Sequence, residues 1–81
     1  MTRGEIEQEL ISIVRNEKNI ADGLLRPETS LADVGIDSLD ALTILFAIEE
    51  RFGISIPDDR ARAMTTFGDM TTIVEELLPR S

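Results

Sequence analysis

Three segments of this chain repeat their apolar residues at the three-and-four spacing of an α-helix, and none alternates them in the period-two rhythm of a strand. Helices are the regular structure this pattern predicts. Ile6, Leu10, Ile13 and Val14 form the first stripe, which Thr2 and Glu5 are spaced to open as a capping box and which runs to about Lys18. Ala41, Ile44, Leu45, Ile48 and Phe52 form the second, on one side of a helix that Asp37 can cap and Gly53 can stop. Met70, Ile73, Val74 and Leu77 form the third, opened by Thr66 and Asp69 and ended by Pro79. Pro57, followed by Asp58 and Asp59, favours a short helical turn through Met64.

Between Asn19 and Asp37 the periodicity dissolves. Gly23, Pro27 and Gly35 break it, leaving Leu24, Leu31 and Val34 as anchors of a long loop packed back onto the helices. Loops of this length are often functional, and this one delivers the chain to Ser38. With 81 residues there is room for one small core. The expectation is an all-α four-helix bundle occupying residues 1–81 as a single domain. It has three longer helices, a short third one, and the long loop between helices one and two.

Sixteen acidic residues against eight basic ones give a net charge of −8, and Lys18 is the only lysine. Such a field repels nucleic acid and anionic membranes and favours basic protein surfaces. Between Pro27 and Glu50 stand Glu28, Asp33, Asp37, Asp40, Glu49 and Glu50 with no basic residue among them, concentrating the negative charge around Ser38. The chain has no cysteine, and its beginning alternates charges where a signal peptide needs an apolar run. Its longest apolar stretch, Ala41 to Ile48, is too short to span a bilayer. A soluble, monomeric, cytoplasmic protein without membrane insertion is the expectation.

Ser38 follows Asp37 at the predicted start of the second helix, where unpaired backbone N–H groups and the positive end of the dipole favour a phosphate. The chain has no histidine, tyrosine or cysteine to activate that hydroxyl, and GIDSL does not fit the GxSxG nucleophile elbow. Catalysis by Ser38 is therefore not expected. Asp33, Asp37 and Asp40 do not match the ligand spacing of a calcium loop, so no metal site is expected. Two readings of Ser38 stand: the attachment point of a phosphate-linked arm, or an unmodified helix cap.

Leu39, Leu42 and Phe46 project from the side of the second helix opposite its core stripe, alongside Thr43 and Glu50. A bundle this thin cannot bury both sides, so the second apolar face is expected to meet solvent and to serve as a docking surface.

The segments GIDSLDAL, Glu49 and Glu50 before Phe52, ISIPDD and TFGDM, in that order and spacing, resemble the acyl carrier proteins of fatty acid and polyketide synthesis. The likeness covers nearly the whole chain. It implies a non-catalytic four-helix carrier in which Ser38 bears 4′-phosphopantetheine, transferred from coenzyme A by a phosphopantetheinyl transferase with Asp37 in support. The arm's thiol would hold acyl groups as thioesters, so the cofactor brings the sulfur that the chain lacks. The resemblance further implies that the second helix docks onto acyl-loading and acyl-accepting enzymes with basic surfaces. Leu39, Leu42, Thr43 and Phe46, with Asp37, Asp40, Glu49 and Glu50, are the candidate contacts. Family members can shelter the acyl chain between helices, for which Ile44, Leu45, Ile48, Phe52, Ile54, Ile56 and Ile73 are the candidate lining. Thr43, Phe46, Arg60 and Arg62 depart from the usual pattern, which points to a specialised lipid pathway. An aminoacyl, peptidyl or D-alanyl carrier and an unmodified helical interaction module are the competing readings.

Overall fold

The computed structural model describes residues 1–20 and 23–79. Its order is α1 (Arg3–Glu17), a 3₁₀ turn (Ala32–Val34), α2 (Ser38–Phe52), α3 (Asp58–Arg62) and α4 (Phe67–Leu77). It is a small helical bundle, with no strand among the described residues and one isolated bridge between Ser30 and Thr66.

Each long helix opens on a reciprocal cap. Thr2 Oγ1 accepts from the Glu5 N–H at 3.2 Å while Glu5 Oε1 accepts from the Thr2 N–H at 2.9 Å, and Thr66 and Asp69 repeat the arrangement on α4. On α2, Asp37 Oδ1 accepts from the Asp40 N–H at 2.9 Å. Gly53 ends that helix at φ 65°, a left-handed conformation that glycine takes without a Cβ clash.

The core sits where α1 meets α2 and α4. Ile6, Leu10, Ile13 and Val14 enter it from α1, Ile44 and Ile48 from α2, and Phe67, Met70, Ile73 and Val74 from α4. Burying an isoleucine or leucine contributes about 1.5–3 kcal/mol, so these stripes hold the helices together. Thr71 is buried among them, its hydroxyl donating to the Phe67 carbonyl at 3.2 Å. α3 contributes no buried residue. Among the described residues, no helix is long and apolar enough to cross a membrane.

Two packing expectations are corrected. Ala41, placed on the inward stripe by periodicity, is exposed, because the first turn of α2 lies beside a gap rather than against a neighbouring helix. Leu24 is 51% exposed. Gly23 turns the chain at φ 82° just before it, and Leu25 packs on the core instead, together with Ile20, Leu31, Val34 and Ile36.

The long loop does pack back onto the helices, and its backbone is stitched to the start of α4. The Leu31 N–H donates to the Thr65 carbonyl, the Phe67 N–H to that of Thr29, and the Gly68 N–H to that of Pro27, at 2.9–3.0 Å. A Cβ on Gly68 would meet the Pro27 oxygen at 2.7 Å, so the approach requires glycine. This seam fixes the course of the loop that leads to Ser38.

Candidate functional site

Ser38 is the first residue of α2 and is exposed. The α2 cap satisfies the Asp40 N–H with Asp37 Oδ1, and the Ala41 N–H bonds to the Asp37 carbonyl at 2.8 Å. The Ser38 hydroxyl and the Ser38 and Leu39 N–H groups have no partner among the described residues. An open hydroxyl beside two free donors at a helix N-terminus suits an ester-linked phosphate, which those donors can orient.

The negative field predicted around this serine is partly neutralised. Lys18 Nζ lies 3.0 Å from Asp40 Oδ2. Sequence spacing gave no sign of it, because the loop carries the end of α1 back to the start of α2 across some twenty residues. Hydrogen bonding to Lys18 holds the Asp40 carboxyl below its ordinary range, outweighing desolvation with help from the backbone of Asp37. The same hydrogen bond and the charge of Asp40 raise the Lys18 ammonium above its ordinary value. Lys18 therefore stays protonated and is no base for the Ser38 hydroxyl.

The outward face of α2 is open. Leu39 is 75% exposed, Phe46 59% and Leu42 47%, and the long loop does not cover them. Thr43 and Glu50 are exposed with them, the Thr43 hydroxyl donating to the Leu39 carbonyl at 3.1 Å. Asp40 and Glu49, grouped with this face by sequence, are half-buried and engaged within the fold: Asp40 in the cap and with Lys18, Glu49 through Oε2, which accepts from the Ile56 N–H at 2.7 Å. Glu49 thus ties the turn after Gly53 to α2, and Asp37 and Glu50 remain the exposed acids of the helix.

Beneath Ser38 opens an apolar cavity of about 280 Å³ between α2, α3, the loop and α4. A void of roughly 150 Å³ already accepts a benzene-sized guest, so this one is large enough for an apolar chain. Ser38, Ala41, Leu42, Ile44, Leu45 and Ile48 line it from α2, Leu31 and Ile36 from the loop, Ala61, Arg62 and Met64 from α3 and its end, and Met70 from α4. Of the predicted lining, Ile44, Leu45 and Ile48 are there; Phe52, Ile54, Ile56 and Ile73 are not. Ile56 and Ile73 are ordinary core, at 6% and 5% exposure. The short α3 borders this gap without burying a side chain. Met64 and Met70 were the missed signal, since flexible methionines commonly fill irregular gaps. Leu42, read as purely outward, also borders the opening. Among the described residues, no three acidic side chains converge as a cation cage.

The exposed hydroxyl, the free N–H pair and the adjoining apolar cavity together fit a phosphate-linked arm with an apolar cargo. Residues 8–74 match the family described as "Phosphopantetheine attachment site". The chain is also 36% identical over 76 residues to an acyl carrier protein of Prochlorococcus marinus (strain MIT 9515), covering 93% of this chain and 95% of that one. This chain thus belongs to the acyl carrier protein family, whose members are non-catalytic carriers with a domain bearing a 4′-phosphopantetheine group.

Proposed function

We propose that Ser38 Oγ is the attachment point of the 4′-phosphopantetheine arm and that the chain shuttles acyl thioesters between enzymes of fatty acid, polyketide or a specialised lipid synthesis. The observation that carries this reading is the position of Ser38, exposed at the first residue of α2 and on the rim of the apolar cavity. A phosphopantetheinyl transferase supplies the arm from coenzyme A and the base that removes the serine proton, since the chain lacks histidine, tyrosine and cysteine. Asp37 supports the site by capping the helix.

Leu39, Leu42 and Phe46 with Thr43 and the exposed Asp37 and Glu50 form the docking face for basic surfaces on the loading and accepting enzymes. Asp40 and Glu49 act in this face by holding α2 and the turn after it in place. The cavity shelters the proximal part of the acyl chain. The net charge of −8 and the lack of cysteine agree with a soluble, monomeric carrier working in the cytoplasm.

The test is intact-mass measurement after incubation with coenzyme A, magnesium and a broad-specificity transferase. Wild type gains one phosphopantetheine and Ser38→Ala gains none. A wild type that stays at its bare mass with active transferase refutes the assignment.

A further inference from the structure

We propose that Arg62 holds the phosphodiester of the arm, its guanidinium pairing with the phosphate oxygens at Ser38 from the other side of the cavity. This rests on the reading that Ser38 bears the arm. It adds a residue on a different helix that sets the direction in which the arm leaves.

Arg62 and Ser38 border the same cavity of about 280 Å³, one from α3 and the other from α2. Arg62 is the cation among the residues lining this cavity, and four others have carboxylate partners. Lys18 is held by Asp40, Arg51 by Glu9 at 3.0 Å, Arg3 by Glu75 at 3.1 Å and Arg60 by Glu76. Arg62 has no ionic or hydrogen-bonding partner among the described residues. Asp58 lies four residues before it on α3, the spacing at which helical ion pairs form, yet the two make none. In a chain with sixteen acids, Arg62 borders an apolar opening and pairs with no carboxylate among the described residues.

The ester bond places a further negative charge next to Asp37 and Asp40, where Lys18 is already taken. Among the described residues, the uncommitted cation bordering that position is Arg62. Its planar fork matches phosphate oxygens two at a time, a geometry that lysine cannot reproduce. Because Arg62 stands on the far rim, the pairing lays the first bonds of the arm across the mouth of the cavity. The thioester then starts over an apolar opening instead of over the solvent side of α2.

The experiment uses the phosphopantetheinylated protein, with loading checked first by intact mass. In ¹⁵N-labelled wild type, the Arg62 Nε–Hε resonance is expected to shift between the bare and modified forms. The ³¹P resonance of the modified protein is expected to move in Arg62→Gln toward that of a phosphopantetheinylated serine peptide, and to move less in Arg62→Lys. Arg60→Gln, which removes the same charge from the same helix, is expected to leave it in place. An Arg62 resonance that is the same in both forms, or a ³¹P signal that responds equally to Arg60→Gln and Arg62→Gln, overturns the proposal. The wild-type comparison does not depend on any variant folding. Wild type that acquires no arm overturns the assignment of Ser38 instead.

Discussion

Lys18 Nζ stands 3.0 Å from Asp40 Oδ2, and the same carboxylate closes the cap of the helix that begins with Ser38. The end of α1 and the start of α2 are thereby joined at the functional residue. The depressed Asp40 carboxyl contributes stability that is present above its ordinary value of 3.8 and is lost as pH falls through its lower folded value. The raised Lys18 ammonium contributes stability that is present below its ordinary value of 10.5 and is lost as pH rises through its higher folded value. Urea titrations should therefore show Asp40→Asn less stable than wild type at pH 7, with the gap closing in acid. Lys18→Met should approach wild type only in strong alkali. High salt should narrow both gaps, since the pair is only half-buried and solvent ions reach it.

Thr66 caps α4 and Asp69 closes the box, and hydrogen bonds from the Thr65 hydroxyl and the Thr65 and Thr66 backbone hold the Asp69 carboxyl below its ordinary range. Thr66→Ala is expected to cost about 1 kcal/mol. In a domain of this size that lowers Tm by roughly 4–8 °C, measurable by calorimetry.

Two glycines should respond in opposite directions to alanine. Gly68→Ala drives a Cβ into the Pro27 carbonyl and should lose about 1–3 kcal/mol in urea unfolding. Gly4 lies in α1 with only Thr2 Oγ1 nearby at 3.9 Å, and Gly4→Ala should gain about 0.5–1 kcal/mol. Equal responses would remove the loop–α4 seam from this account.

Phe46 is 59% exposed on the outward face of α2. Phe46→Ala is expected to leave Tm within a few degrees of wild type and to weaken binding to a loading enzyme by roughly tenfold, the equivalent of about 1.4 kcal/mol. Calorimetric titration of the two proteins with that enzyme is the check.

An acyl chain lodged in the cavity binds the native state and should raise Tm above that of the unacylated form. Ala61→Phe fills the space from α3 and should abolish the rise while leaving phosphopantetheine loading intact. Persistence of the rise in that variant would place the chain elsewhere.

The helices and their caps were readable because each is local: Thr2 with Glu5, Asp37 with Asp40 and Thr66 with Asp69 sit three residues apart. Ser38 was readable for the same reason, lying beside a cap and before an apolar stripe. The contacts that defied reading join distant residues. Nothing in the pattern said that Lys18 would reach Asp40, that Glu49 would turn to the Ile56 N–H, or that Leu25 rather than Leu24 would face the core. Periodicity likewise put Ala41 and Leu45 on one stripe. It could not tell a side chain against a neighbouring helix from one beside a void, because that depends on how the elements pack.

The seam between Pro27, Thr29 and Leu31 and residues 65–68 has a consequence for synthesis. On a ribosome, the segment before Ser38 can form its local turns at once, but its backbone bonds to residues 65–68 wait until those residues have emerged. Contacts so far apart in sequence delay closure relative to the local turns of α1. The serine consequently reaches its finished setting only after residues 65–68 have been made, and a nascent chain stopped before Thr65 presents it on a strap that lacks this seam.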